Sequence, residues 1–279
     1  MQQDGAQRGY LHEDFRLFHI RDQRELDIEY HYHAFDKVVV FLGGRVNYIM
    51  EGKSYYLQPW DVLLVGNNQI HRPVIDAREP YERIILWMNT EYLAAHSTGE
   101  DALLACFALA KKRKFALIRP SARERHSIMD LLRNTEDALN TKDFGHDLLS
   151  RTYFLQFMIL LNRIALHDET MHDAAAYKSD PRFDEIIAYI NGHLEEDLSL
   201  DALCAKFYIS KSFLMHRFKE MAGCTAHSYI QQKRLIYAAR LIREGTPVLT
   251  ACAQCGFNDY SAFLRAFKRL FGSTPRELV

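Results

Sequence analysis

No run of residues in this chain is apolar for long enough to cross a bilayer. The most apolar stretch, YFLQFMILLNRIAL at 153–166, carries Gln156, Asn162 and Arg163. It is shorter than the roughly 20 residues a membrane-spanning helix needs. The opening residues lack the basic start, apolar middle and small-residue cleavage site of a secretory signal, so a cytoplasmic protein with no membrane partner is expected. Cysteine is sparse: Cys106, Cys204, Cys224, Cys252 and Cys255 are an odd set without disulfide-framework spacing, which suits a reducing compartment. Two of them form a CxxC in CAQCGF (252–257), yet no second CxxC or histidine pair lies nearby at zinc spacing. An excess of one charge sign is also missing, with 35 Lys and Arg against 36 Asp and Glu. What is present, 48% hydrophobic and 25% charged residues over 279, describes a folded chain long enough for two ordinary domains.

The near-zero balance conceals an asymmetry. From Ala205 to the end, twelve Lys and Arg face four acids, a charge of +8 over 75 residues that leaves −9 for the rest. A basic C-terminal block on an acidic body points to a polyanion partner, with a solvated charged face as the alternative. Residues 15–90 read as β, in short runs such as KVVVFL, VNYIME, SYYL, DVLLVG and ERIILWMN separated by turn signals. Strands at this even spacing suggest a sandwich or small barrel. Residues 100–168 switch to a helical period, with Ser121 and Glu124 at capping-box spacing and a helix over 146–166 that is apolar on more than one face. Residues 169–180 have no hydrophobic period and read as a linker, after which Pro181 opens a new helical region.

The last hundred residues contain an internal repeat. FKEMAGCT (218–225) lies over FKRLFGST (267–274) at an offset of 49, while LSLDALCAKFYI (198–209) lies over TPVLTACAQCGF (246–257) at an offset of 48. One extra residue in the second turn accounts for the shift. Each copy reads as a short helix, a break and a second helix, the arrangement in which the second helix enters the major groove. Ala205 and Ala253 are expected to let the paired helices approach closely. Between the copies, residues 227–245 read as one helix stopped by Gly245. A helix of roughly 17 residues spans about 25 Å and suits two recognition helices in grooves about 34 Å apart. The alignment also sets Cys252 over Cys204 and Cys255 over Phe207. Both positions call for small or apolar groups, so the CxxC is expected to be packing rather than a metal or redox site.

This repeat resembles the AraC/XylS-type transcription regulators. The second copy carries their signature in CGFNDYSAFLRAFKRLFGSTPREL (255–278), with Gly256-Phe257, Phe263, Phe267-Lys268, Gly272 and Thr274-Pro275. The linking helix matches through Arg234-Leu235, Ala238 and Leu241-Ile242. The resemblance implies an α+β fold: an N-terminal cupin-like β-barrel with flanking helices (1–168), the linker (169–180), and an all-α domain of two helix-turn-helix motifs joined by a long helix (181–279). It implies base contacts from Ser212, Met215 and His216 in the first copy and from Tyr260, Ser261 and Arg265 in the second. Arg265 is expected to read most clearly, because arginine pairs bidentately with guanine. Lys211, Lys219, Lys268 and Arg269 are assigned to phosphates. Two departures stand out. Tyr208 occupies a helix end where the family often has Gly, and Met215 and His216 replace the Arg or Gln of many members. The implied partners are double-stranded DNA, a small-molecule effector, RNA polymerase and a second copy of the chain; no cofactor and no catalytic residue is implied.

The N-terminal segment holds a second constellation. His31 and His33, two apart on an expected strand, share a face, and His71 follows a turn that brings it toward them. This resembles the cupin pattern, whose metal-binding members place a glutamate after H-x-H with three residues in between. Here that position is Lys37, and an ammonium repels a cation and offers it no lone pair. The expectation is an effector pocket lined by His31, His33, Lys37 and His71, favouring an anion such as a carboxylate or sugar acid, with no metal. Tyr48, Trp60 and Trp87 are its candidate walls, with ordinary core as the alternative for each. Leu148, Leu149, Leu155, Met158 and Leu161 are the candidate exposed positions of a dimer helix. Two other readings stay open at this level: a cupin-type metalloenzyme fused to a DNA-binding domain, and a ligand-independent DNA-binding protein whose barrel serves dimerisation.

Overall fold

A computed structural model of the chain describes residues 11, 13–24, 28, 30–99, 102–167, 177, 178 and 180–278. Most of the expected linker lies outside the described residues. The fold is mixed α+β and divides into two compact units. One gathers most of the chain up to Tyr177, and the other comprises Lys178–Val279 with Ile49–Ser54.

The first unit holds a five-stranded sheet and most of a second sheet. Strands β1 (Phe15–Asp22), β2 (Asp36–Gly43), β5 (Val62–Val65), β7 (Tyr81–Met88) and β8 (Leu117–Ile118) form a five-stranded sheet in the order β1-β7-β2-β5-β8. Strands β3 (Arg45–Met50), β4 (Lys53–Tyr56), β6 (His71–Asp76) and β9 (Tyr177–Lys178) form a second sheet, ordered β6-β3-β4-β9. Strands β1, β6 and β8 fall outside the apolar runs quoted above, and each is a sheet edge. An edge strand tolerates Pro73, which a central strand would not. Every residue of β2 from Asp36 to Phe41 is buried, because the sheet is covered on both sides. Alternation sends Lys37, Val39 and Phe41 to the face opposite that of Val38 and Val40. The Lys37 face meets Tyr48 of β3 and His71 of β6. On the other face, Phe15 of β1 stacks on Phe154 at 4.2 Å.

Phe154 belongs to α4 (His146–Leu166), the apolar helix expected there, which packs on α3 (Ala122–Asn140). α1 (Thr90–Ala95) and α2 (Ala105–Arg113) precede them. Helix α3 begins at Ser121 with the expected capping box, the Ser121 side chain accepting from Glu124 N–H and Glu124 accepting from Ser121 N–H. Asn162, a polar interruption in the apolar run, accepts from Cys106 N–H at 2.8 Å and donates to the Leu103 and Met158 carbonyls at 2.8 Å. It satisfies backbone groups at the start of α2 that burial would otherwise leave unpaired. Among the described residues no helix is long and apolar enough to cross a membrane.

The second unit is helical: α5 (Pro181–Gly192), α6 (Leu200–Phe207), α7 (Lys211–Arg217), α8 (Ala226–Arg243), α9 (Val248–Gln254) and α10 (Tyr260–Phe271). Asp180 caps α5 with Pro181 in its first turn. Helix α7 runs on into a π-helical turn, Phe218–Ala222, and Gly245, in a left-handed conformation, follows α8. Leu235, Ala238, Ala251, Cys252, Cys255, Phe263 and Phe267 form one buried cluster. The CxxC is therefore core, and burial pushes the Cys255 thiol up to about 12. Ala205 and Ala253 are exposed rather than between helices. In the second motif the close approach falls to Ala251, fully buried, because the helical phase turns position 253 outward.

Candidate nucleic-acid interface and effector cluster

The two motifs are superposable in their punctuation. The first helix of each ends in a left-handed residue, Tyr208 at φ 51° and Gly256 at φ 73°. One residue then separates Tyr208 from the N-cap Ser210, and two separate Gly256 from the N-cap Asp259. That is the extra residue behind the change of offset from 48 to 49. Ser210 accepts from Phe213 N–H at 3.1 Å, and Asp259 accepts from Ser261 and Ala262 N–H at 2.8 and 3.1 Å. Both caps satisfy first-turn donors and hold the recognition helices at their starts.

On α7, Leu214 is buried and Phe213 half-buried, which turns Lys211, Ser212, Met215 and His216 to solvent, with Lys219 exposed in the π turn. On α10, Phe263 and Phe267 are buried while Ser261, Arg265, Lys268 and Arg269 are exposed. Tyr260 is half-buried against Phe263, ring centroids 6.2 Å apart. Lys211 pairs with Asp201 at 2.6 Å, and that hydrogen bond holds its ammonium above the ordinary lysine value. Arg269 donates to Gln231 of α8 at 3.4 Å.

Arg234 on α8 has a role that spacing did not reveal. Its guanidinium donates to three carbonyls: Leu194 at 2.8 Å, Gly256 at 2.9 Å and Glu196 at 2.6 Å. One side chain thus ties the segment after α5 and the second motif's turn to the linking helix. A Cβ at residue 256 would lie 2.7 Å from both Arg234 Nη2 and the Leu194 carbonyl, so the position admits only glycine. Tyr208, the counterpart of Gly256, keeps a left-handed backbone with a side chain 92% exposed. The conformation costs a non-glycine residue on the order of 1–2 kcal/mol.

In the first unit the histidines converge with Lys37, but not from the expected strand: His31 makes only an isolated bridge to His71, and His33 lies in no strand. His31 and His71 exchange both backbone hydrogen bonds, at 3.1 and 2.9 Å. Their rings are 4.4 Å apart, and the His33 ring is 4.9 Å from that of His71. Lys37 Nζ lies 2.9 Å from His71 Nε2 and donates to Tyr48 Oη at 2.8 Å. His71 Nδ1 and His33 Nδ1 donate to the Gln69 and Phe35 carbonyls at 2.8 and 2.7 Å. These bonds leave the lone pair on Nε2; in His71 it accepts from Lys37, and in His33 it is buried and unpartnered. Burial lowers the Lys37 ammonium from 10.5 to about 7. Burial first, then the Lys37 charge, pushes His33 and His71 well below the ordinary histidine range, and burial raises Tyr48 well above that of tyrosine. Among the described residues no three His, Cys, Asp or Glu side chains are grouped to hold a metal.

Trp87 sits opposite Lys37 in the β2–β7 register and packs on Phe18 and Phe35 at 4.7 and 4.9 Å. Trp60 belongs elsewhere. It lines a separate cleft of about 300 Å³ with His19, Glu82, Met129 and Arg133, on the helix-facing side of the sheet, and holds φ 78°. The dimer-helix candidates divide similarly. Leu148 and Leu149 are exposed and Leu155 half-buried, but Met158 and Leu161 are fully buried, and Ile159 and Leu166 are exposed instead. The run is apolar on several faces, and only packing decides which of them stays free.

The helix-turn-helix domain family matches residues 203–279. The HTH-type transcriptional activator RhaS of Escherichia coli (strain SMS-3-5) is 23% identical over 259 residues, covering 91% of this chain and 88% of the relative. Among solved structures, ToxT from Vibrio cholerae is 14% identical with a TM-score of 0.36, covering 95% of this chain and 97% of that one. A transcriptional regulator with an AraC-type DNA-binding domain from Chromobacterium violaceum is 26% identical with a TM-score of 0.34, covering 35% of this chain and 88% of that one.

Proposed function

The chain is an AraC/XylS-type transcription regulator, and from that premise we propose that it is an effector-responsive activator that lays α7 and α10 into two successive major grooves. The observation that carries this reading is the pair of capped helix-turn-helix motifs on one linking helix, which turn the predicted base-reading side chains other than the half-buried Tyr260 to solvent. The activator RhaS, similar over most of both chains, supports the sign of the effect. Ser212, Met215, His216, Tyr260, Ser261 and Arg265 read bases, and Lys211, Lys219, Lys268 and Arg269 hold phosphates.

The remaining parts follow from the same reading. The two sheets close as a cupin-like barrel in a domain of residues 1–168, joined through 169–180 to a DNA-binding domain of 181–279. The effector binds at the Lys37 cluster and is an anion, because Lys37 has no carboxylate among its described partners. The exposed edge of α4 at Leu148 and Leu149 pairs two copies, RNA polymerase is the partner at the promoter, and the protein works in the cytoplasm. Selection of bound duplexes from a random pool, followed by anisotropy titration, tests the central claim. Arg265→Ala is expected to lose about 1–3 kcal/mol of discrimination at one base position. Lys268→Ala is expected to weaken all duplexes alike and lower the salt slope by about one. Equal binding of selected and random duplexes refutes the reading.

A further inference from the structure

The two helix-turn-helix motifs match in helix order and in the side-chain cap of the second helix, and beyond the extra residue of the second turn they part where the first helix ends. Gly256 lies beneath Arg234, where no side chain fits. Its counterpart Tyr208 holds the same left-handed backbone with its ring in solvent, 92% exposed. Burial does not offset the strain, and among the described residues the Tyr208 hydroxyl has no hydrogen-bond partner. Glycine would close the turn without strain. A strained, exposed aromatic persists where something outside the fold makes use of it.

Its place indicates what that is. Tyr208 stands three residues before Lys211, the first residue of α7, and the start of a recognition helix is the end that enters the groove. A side chain just ahead of it meets the groove's rim, which is a line of phosphates. Lys206 and Lys211 flank the turn in sequence, and tyrosine hydroxyls are regular phosphate donors. Resting on the DNA-binding reading above, we infer that Tyr208 is a DNA-backbone contact, donating its hydroxyl to a phosphodiester oxygen beside the first recognition helix.

The contact is sequence-independent, so full-length protein and a 30-base-pair duplex of arbitrary sequence test it by anisotropy. Tyr208→Phe keeps the ring and loses the hydroxyl; Tyr208→Gly removes both and relieves the backbone. Each is expected to weaken binding about tenfold with the salt slope unchanged, since tyrosine carries no charge. Tyr208→Gly is also expected to melt about 2–4 °C higher, a divergence of stability and binding that a structural role does not produce. Wild-type affinity in both variants overturns the inference. If transcription is then lost while DNA binding is intact, the ring faces a protein such as RNA polymerase instead. A wild-type protein that binds no duplex refutes the DNA-binding reading itself.

Discussion

Lys37 is buried on β2 beside Tyr48 and His71, and its chemistry follows from burial more than from charge. Its ammonium donates to a phenol and an imidazole, neither of which compensates a buried charge. Folding therefore lowers its pKa from 10.5 to about 7. Between those values the unfolded chain holds a proton the folded chain lacks, so stability rises with pH across the window, and the penalty is complete below about 7. Urea unfolding at pH 7, 8 and 9 is expected to show wild type gaining about 1.4 kcal/mol per pH unit relative to Lys37→Met; parallel profiles would refute the assignment. A bound carboxylate would supply the missing partner. Thermal-shift titration with a panel of acids and neutral sugars is expected to find acids that stabilise wild type and fail with Lys37→Ala, and equal shifts in both proteins would exclude Lys37 from the site.

Among the elements, α8 does more than set a distance. Its Arg234 draws three carbonyls from two segments onto one guanidinium, and the turn at Gly256 is shaped around that group. Gly256→Ala forces a Cβ to within 2.7 Å of Arg234 Nη2 and imposes a left-handed alanine. A loss of about 1–3 kcal/mol in denaturant unfolding is expected, with DNA binding weakened because the second recognition helix leaves its mount. Unchanged unfolding would mean that the turn relaxes freely. The starts of α3 and α5 were legible in Ser121 and Pro181, because capping and proline's first-turn preference are local matters of one side chain and the next turn's N–H groups. The edge strands β6 and β8 were not, since an edge needs only a neighbour's backbone and leaves little pattern in its own residues.

At the scale of the whole molecule, α4 carries the proposed pairing of two copies. Met158 and Leu161 face the core, while Leu148 and Leu149 face solvent at 71% and 45% exposure. The double variant Leu148→Lys/Leu149→Lys is expected to sediment as a monomer at micromolar concentration with little change in unfolding midpoint. Leu161→Ala is expected to cost about 2–5 kcal/mol and leave the oligomeric state as it is. A wild-type monomer would remove the dimer. The charge asymmetry belongs to this scale too. The +8 carried by the last 75 residues includes Arg265, Lys268 and Arg269 on one exposed helix, so DNA affinity is expected to fall steeply with salt.

The sequence by itself determined what depends on near neighbours: helix and strand periods, caps, the repeat with its one-residue insertion, and the basic tail. Those signals arise within a turn or two of chain, where geometry is set by covalent spacing. Tertiary structure alone decided which apolar face of α4 stays free and that Trp60 lines a different cleft from Lys37. It also brought Lys37 to Tyr48 and His71, 11 and 34 residues away. Strand register and packing place such groups together, and no local pattern encodes which residues a distant strand will set opposite.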